Sequence, residues 1–231
     1  MNIFFQPLIP EGVLHLDAEE SRHCVKVLRN KTGDTIRVTD GKGFFYNVVI
    51  TSPGMNRCSF EIRDTIAEEK RNCRIHIAIS PTKNADRIEW FVEKAVEFGI
   101  DEITLIDCEH TERSYLKTER LEKVAISAMK QSLKASIPLI RGLQKLPLVI
   151  SESKAPSKFI AYVDPANPGH LKDRARPGSD YLVLIGPEGD FSTQELDLAL
   201  ANGFEKVSLG RSRLRTETAG LAACQILNLI N

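Results

Sequence analysis

The regular alternation of apolar strands and amphipathic helices in the last two thirds of the chain most constrains its fold. Near-continuous apolar runs at residues 159–163 and 181–185 are typical of parallel strands that are buried on both faces. Residues 86–98 place apolar side chains at helical spacing, and Gly99 follows as a helix end. Such alternation over roughly 150 residues predicts an α/β domain with a parallel sheet.

The same patterns predict the remaining elements of this domain. Strands are expected at residues 74–79, 103–106 and 206–209, and helices at residues 118–135 and 217–230. Ser192 followed by Glu195 forms a capping box that opens another helix, which Gly203 is expected to end.

The first part of the chain has a different pattern, with short strands rather than strand–helix alternation. Residues 35–38 and 44–50 flank Asp-Gly-Lys-Gly, which predicts a hairpin, and a further strand is expected at residues 59–62. A helix is predicted at residues 18–29. Short β segments favour a small barrel. The polar stretch at residues 65–72 marks the boundary, so we expect domains at residues 1–70 and 71–231.

Composition and charge narrow the class of protein. The 31 basic residues balance the 31 acidic ones, which argues against a uniformly basic nucleic-acid binder. The five cysteines are scattered and the histidines are dispersed, so we expect free thiols in a reducing cytosol and no metal site. No signal peptide or membrane span is predicted, which favours a soluble cytoplasmic protein.

Two loops that follow apolar strands carry the candidate chemistry. Residues 186–191, Gly-Pro-Glu-Gly-Asp-Phe, combine glycines for close backbone approach with a capped helix start, and residues 210–220 carry three alternate arginines. Thr216 is predicted to cap the last helix. Ligands of open α/β sheets bind at the carboxyl ends of strands, where both loops lie. A tight turn and a solvated arginine face remain alternatives, and neither loop matches a Walker A or dinucleotide motif. The carboxylates Glu188 and Asp190 favour a cationic or zwitterionic ligand.

These loops closely resemble the paired C-terminal motifs of the ribosomal RNA small subunit methyltransferase E family. The matching residues are 185–192, Ile-Gly-Pro-Glu-Gly-Asp-Phe-Ser, and 209–219, Leu-Gly-Arg-Ser-Arg-Leu-Arg-Thr-Glu-Thr-Ala. The resemblance covers nearly the whole chain, and further upstream it rests on His23, residues 27–29, Gly33, Asp34, Asp40, Gly41, Lys83, Asp86, Arg87, Lys94, residues 97–99, Gln131, Ser132 and Pro138. The family usually has glycine where this chain has Asp190.

The resemblance implies a SPOUT α/β trefoil-knot catalytic domain preceded by a small PUA-like β-barrel. In such a fold the knot brings together the strand ends near residues 163–165, 186–189 and 209–216. S-adenosyl-L-methionine would bind there, in a homodimer without metal. The cofactor-binding residues implied by the resemblance are Leu184, Gly186, Pro187, Glu188, Gly189, Leu209, Gly210, Leu214 and Thr216.

The implied reaction is methylation of N3 of a specific uridine in 16S rRNA, within the 30S ribosomal subunit. Arg215 would stabilise charge that develops on a uracil oxygen, and Glu217 would accept the N3 proton. An ordinary carboxylate in the first turn of a helix is an equal alternative for Glu217. The RNA contacts implied by the resemblance involve Arg29, Arg113, Lys134, Arg211 and Arg213.

Residues 111–145 form a locally basic segment despite the zero net charge of the chain. This segment holds eight basic and three acidic residues, which gives it a net charge of +5. RNA contact is the favoured interpretation, and a solvated helix face is the alternative. Two other functions stay open: a non-catalytic RNA-binding or ribosome-assembly factor, and a SPOUT methyltransferase that acts on tRNA or 23S RNA at a ribose hydroxyl.

Overall fold

The structure, a computed structural model, describes residues 2–112, 117–164 and 169–231. It divides into two compact units. The first unit consists of Met1–Lys70 with Ile126–Ile137, and the second of Arg71–Ala125 with Pro138–Asn231. Residues 126–137 therefore belong to the unit whose sheet is formed by the first part of the chain.

The first unit contains a four-stranded sheet with the order β1-β2-β3-β4. β1 lies parallel to β2, and the other pairs are antiparallel. Its strands are β1 (Ile3–Phe5), β2 (Thr35–Thr39), β3 (Phe44–Pro53) and β4 (Cys58–Ala67). The predicted hairpin is confirmed: Asp40 accepts hydrogen bonds from the backbone amides of Lys42 (2.7 Å) and Phe44 (3.3 Å). β4 extends to Ala67, beyond the predicted residue 62, because its polar end still pairs with β3.

One helix packs on this sheet and is shorter than predicted. Asp17 caps α1 (Ala18–Arg22), which continues as a π-helical turn at His23–Val27 instead of running regularly to residue 29. A 3₁₀ turn spans Ile9–Glu11. The core of the first unit is formed by apolar side chains of the sheet and of these turns, among them Phe4, Leu16, Val38, Val48 and Phe60.

The second unit is built on a six-stranded parallel sheet with the order β10-β8-β9-β5-β6-β7. Its strands are β5 (Arg74–Ile79), β6 (Glu102–Asp107), β7 (Leu139–Lys145), β8 (Ser157–Ala161), β9 (Asp180–Ile185) and β10 (Glu205–Val207). The helices after the first unit's strands are α2 (Ala85–Phe98), α3 (Thr118–Gln131), α4 (Leu146–Glu152), α5 (Leu171–Arg174), α6 (Thr193–Ala201) and α7 (Thr216–Ile230). All of them belong to the second unit except the end of α3, which from Ile126 onward belongs to the first unit.

The sequence predicted most of these elements but not all of them. The capping box of Ser192 and Glu195 is present at α6, and Gly99 ends α2 in a left-handed conformation. α3 stops at Gln131, four residues before the predicted end, and Leu133 then adopts a positive φ of 58°. β7, α4 and α5 were not predicted. β7 lies at an edge of the sheet, and its mixed polar sequence lacks the apolar run of a buried strand.

The strand order places the two candidate loops side by side. β8 lies between β9 and β10, and the three strands are parallel, so their carboxyl ends lie at one edge of the sheet. The loop after β9 and the loop after β10 both start from this edge. Within the described part of the chain, no helix combines the length and apolar character needed to cross a membrane.

Candidate active site

A cavity of about 660 Å³ opens at the carboxyl ends of β8, β9 and β10. Its wall is made by the ends of these strands, by the loops that follow them and by two residues of α7. The lining residues are Ala161, Tyr162, Val163, Asp164, Ile185, Gly186, Glu188, Asp190, Val207, Ser208, Leu209, Gly210, Arg211, Ser212, Arg213, Leu214, Thr216 and Ala219. Its size is in the usual range for a small-molecule site.

The loop after β9 is closely packed where it contains glycine. A Cβ atom on Gly186 would lie 3.1 Å from the ring of Phe191, and one on Gly189 would lie 3.1 Å from Cβ of His110. Only glycine leaves both neighbours in place, so the backbone of this loop can stay against the cavity.

Asp190 ties this loop to the neighbouring strand. Its Oδ2 accepts a hydrogen bond from the backbone amide of Val163 (3.3 Å), and its Oδ1 accepts one from Phe191 (2.8 Å). Burial raises the pKa of the Asp190 carboxyl, while these two amide bonds and the charges of Arg213 and His110 oppose that rise. Asp190 has a φ of 64°, a conformation that favours glycine. This geometry accounts physically for the glycine usual in the family at this position.

Thr216 ties the loop after β10 to the loop after β9. Its Oγ1 donates a hydrogen bond to the carbonyl oxygen of Gly186 (3.1 Å). The sequence predicted Thr216 as the N-cap of the last helix, and that prediction is wrong: the N-cap is Arg215, which makes no side-chain cap bond. The hydroxyl of Thr216 cannot cap the helix because Thr216 is the first helical residue and its hydroxyl serves the loop contact.

Glu217, in the first turn of α7, is a buried carboxylate with an incomplete set of partners among the described residues. Its side chain is only 8% exposed, and Arg87 Nε lies 3.9 Å from its Oε1. Its Oε2 is buried and has no hydrogen-bond partner within the described residues. The same guanidinium of Arg87 lies 3.7 Å from Glu188 Oε1, at the wall of the cavity. A buried carboxylate oxygen without a partner is costly for the folded protein, which points to a group that binds there.

The structure brings together most, but not all, of the predicted cofactor-binding residues. Six line the cavity: Gly186, Glu188, Leu209, Gly210, Leu214 and Thr216. Pro187 and Gly189 belong to the same loop without lining the cavity. Leu184 lies in the hydrophobic core instead, fully buried beside Ile160 and Ala78.

The predicted RNA-binding residues are divided between the two units. Arg211 and Arg213 line the cavity of the second unit, whereas Arg29 and Lys134 belong to the first unit. Arg113, like Pro165 at the predicted strand end, lies outside the described residues. Sequence reasoning assigned no site role to Arg87, Tyr162 or Asp164, because nothing local indicates that these side chains reach the cavity or Glu217.

The basic segment at residues 111–145 has fewer unpaired basic side chains than its sequence suggested. Four of its eight basic side chains form ion pairs with carboxylates: Arg120 with Glu89, Lys130 with Glu20, Arg141 with Glu102 and Lys145 with Asp107. Much of its positive charge is therefore neutralised locally.

Family models identify both parts of the chain. An RNA methyltransferase domain matches residues 68–228, and an RNA methyltransferase PUA domain matches residues 16–63. The chain belongs to this RNA methyltransferase family. Its resemblance to the ribosomal RNA small subunit methyltransferase E family is thereby confirmed, as is the predicted α/β fold class with a PUA-like N-terminal domain.

Individual relatives match over almost their whole length. Proteins named ribosomal RNA small subunit methyltransferase E are 28% identical in Aquifex aeolicus, with 98% of this chain and 99% of the relative covered, and 26% identical in Rickettsia conorii, with 96% and 92% covered. The structure of a probable rRNA-methyltransferase from Porphyromonas gingivalis is 47% identical, with a TM-score of 0.95 and 100% and 98% covered. That of the Neisseria gonorrhoeae methyltransferase E bound to S-adenosyl methionine is 28% identical, with a TM-score of 0.85 and 97% and 95% covered.

Proposed function

We propose that this protein transfers a methyl group from S-adenosyl-L-methionine to N3 of a uridine in 16S rRNA. Its relatives are named for the small-subunit rRNA reaction, and the N. gonorrhoeae relative binds S-adenosyl methionine. The observation that carries the proposal for this chain is the cavity at the carboxyl ends of three strands, with the unpartnered oxygen of Glu217 nearby.

The residues present fit this cofactor. The closely packed glycines of the β9 loop keep backbone amide and carbonyl groups near the cavity, where they can bind an adenosine moiety. Glu188 and Asp190 favour the positive charges of the ligand. When bound, S-adenosyl-L-methionine supplies a methyl group on a positively charged sulfur. The loops at residues 186–190 and 207–216 would hold it and keep water away from it.

Glu217 and Arg215 would prepare the nucleophile. Uracil N3 carries a proton, which must leave before its lone pair can attack a carbon atom. The free Oε2 of Glu217 is an acceptor for that proton, and burial limits its hydrogen bonding to solvent water. Arg215 would donate to a uracil carbonyl and so stabilise the negative charge that deprotonation leaves.

The remaining contacts of the proposal lie in both units. Residues 1–70 would act as a PUA-like RNA-binding domain and residues 71–231 as the methyltransferase domain. Arg29, Lys134, Arg211 and Arg213 would contact phosphates, and the enzyme would work as a cytoplasmic homodimer on the 30S subunit. These contacts position the RNA and would make its binding sensitive to salt.

The test uses purified protein, S-adenosyl-L-methionine with an isotopically labelled methyl group, and 30S subunits from a strain that lacks the modification. Nucleosides from the digested rRNA are separated and identified by mass spectrometry. We expect labelled N3-methyluridine. A 2′-O-methylated nucleoside would instead support an enzyme that acts on a ribose hydroxyl. Absence of cofactor binding by calorimetry, with the protein folded, would support a non-catalytic RNA-binding factor.

A further inference from the structure

A second hollow, of about 540 Å³, lies between the first half of α2 and the start of α7. It combines an aromatic side chain with three arginines and two carboxylates. The lining residues are Asp86, Arg87, Trp90, Arg213, Leu214, Arg215, Glu217 and Thr218. We call it the α2–α7 hollow.

This hollow shares a wall with the candidate cofactor cavity. Arg213 and Leu214 line both. At the start of α7, Thr216 faces the cofactor cavity, whereas Arg215 and Glu217 face the α2–α7 hollow. The segment at residues 213–217 therefore contributes to the walls of both the hollow and the candidate cofactor cavity.

The polar groups of the hollow match one particular hydrogen-bonding edge. Glu217 offers an acceptor, and Arg87 and Arg215 offer donors within the same hollow. The Watson–Crick edge of uracil presents a carbonyl oxygen, the N3–H donor and a second carbonyl oxygen. The two donors and the one acceptor of the hollow can therefore complement the two acceptors and the one donor of the base. Cytosine presents a bare N3 and an amino group, so its N3 would face the carboxylate without a proton between them.

Trp90 supplies a surface for the face of the base. Its indole lines the hollow and remains 42% exposed, a large exposed area for a tryptophan. Nucleobases stack on such aromatic surfaces, and enzymes that modify a base in structured RNA turn it out of its stack into a pocket. The proposed methyl transfer by itself requires nothing of Trp90.

We propose that the α2–α7 hollow receives the target uracil, with Trp90 stacked on the base and with Arg87, Glu217 and Arg215 selecting uracil over cytosine. This inference rests on the proposed function, since it places the substrate base beside the proposed cofactor cavity. Trp90 is a positioning residue of this pocket, and Arg87 is a specificity-determining one.

The chain has a single tryptophan, so its fluorescence reports directly on the hollow. We would titrate the full-length protein, saturated with S-adenosyl-L-homocysteine, with pentauridylate and with pentacytidylate. Stacking should quench the emission, with at least about 10-fold weaker binding of the cytidine oligonucleotide. Equal quenching by both would remove the role in selection. No quenching, or an indole that acrylamide cannot reach because another copy of the chain covers it, would overturn the pocket.

Activity on 30S subunits gives a second readout. We expect Trp90→Ala to lower the efficiency of N3-methyluridine formation by about 5- to 100-fold, mainly through KM for the subunit, and Trp90→Phe to restore most of it. Affinity for S-adenosyl-L-methionine should not change. The control is Phe98→Ala, which removes another exposed aromatic side chain of α2 that does not line the hollow.

The results separate the two proposals. If the unmodified sequence makes no N3-methyluridine, the proposed function fails. If it makes N3-methyluridine and Trp90→Ala behaves like Phe98→Ala, the function stands and the base pocket is wrong.

Discussion

A buried carboxylate lies near arginines at each end of the strands of the six-stranded sheet: Glu102 at the amino ends, here called the amino edge, and Glu217 at the carboxyl ends, called the carboxyl edge. The two carboxylates differ in how completely they are paired. At the amino edge, Glu102 accepts hydrogen bonds from Arg74 Nη2 (2.7 Å) and Arg141 Nε (2.5 Å). At the carboxyl edge, Glu217 is equally buried, yet Arg87 Nε lies 3.9 Å from its Oε1, and its Oε2 has no partner among the described residues.

Burial therefore does not distinguish these two carboxylates, and from the difference in their pairing we predict a structural role for Glu102 and a functional role for Glu217. A hollow of about 410 Å³ lies at the amino edge too, and among the groups that line it Glu102 already binds Arg74 and Arg141. Both oxygens of Glu102 bind arginines, whereas Oε2 of Glu217 has no partner among the described residues and, in the proposed function, accepts a proton from the substrate. Natural proteins tolerate such incomplete pairing mainly at functional sites, where it costs stability.

The largest effect should come from removing the acceptor at the carboxyl edge. Glu217→Gln keeps the shape of the side chain but removes its ability to take the N3 proton, so the rate of methyl transfer should fall by about 10²- to 10⁴-fold. Affinity for S-adenosyl-L-methionine, measured by calorimetry, should stay within about twofold. A variant with nearly full rate would show that Glu217 is an ordinary first-turn carboxylate.

At the amino edge we expect a pH-dependent change in stability rather than a change in activity. The pKa of His76 is lowered to about 4, mainly by burial and also by the charges of Arg74 and Arg141, while Glu102 opposes the shift. The unfolded chain binds this proton near pH 6.5 and the folded chain only near pH 4. The stability that His76 contributes is thus complete above pH 6.5 and lost as pH falls to about 4, by about 3 kcal/mol at most.

The measurement is urea unfolding from pH 7 to pH 4, with His76→Gln as the comparison. The glutamine variant should lose less stability over this range, because it takes up no proton on unfolding at that position. Parallel curves for the two proteins would contradict the assignment.

A smaller effect is expected where the two loops of the carboxyl edge are joined. Thr216→Val removes the hydrogen bond to the carbonyl oxygen of Gly186, a loss of about 1 kcal/mol. We expect about fivefold weaker binding of S-adenosyl-L-methionine. Thr193→Val, at an exposed position in the first turn of α6, is the matched control and should bind normally. Equal affinities for the two variants would separate the loop contact from cofactor binding.

The smallest effect tests whether any unpartnered oxygen matters. Ser153 Oγ, at the amino-edge hollow, is buried without a hydrogen-bond partner among the described residues, as Glu217 Oε2 is. A hydroxyl is neutral and costs far less to bury than a charged oxygen. Ser153→Ala should change neither methyl transfer nor the free energy of unfolding by more than about 0.5 kcal/mol. A large loss of activity would indicate a second functional site at this edge.

The sequence predicted the carboxyl edge better than the amino edge, for a physical reason. Apolar runs indicate buried strands such as β8 and β9, and the rule for parallel sheets then brings their following loops together. β7 was not predicted because it is an edge strand with a polar sequence. The sequence did not predict that Arg141 pairs with Glu102 or that Arg87 lies near Glu217. The residues of each pair are distant in sequence, and only the packed structure brings them close.

The most direct test compares Glu102→Gln and Glu217→Gln, which are purified separately in the same way. For each variant we would measure the midpoint of urea unfolding and the rate of N3-methyluridine formation. Because Arg74 and Arg141 are about half exposed and can return to water, Glu102→Gln should cost about 1–2 kcal/mol of stability. Its rate should stay within about threefold of the unmodified protein under folded conditions. Glu217→Gln should show the opposite: an unchanged or higher midpoint with a rate at least about 100-fold lower. The same pattern of loss in both variants would contradict the division between a structural and a catalytic edge.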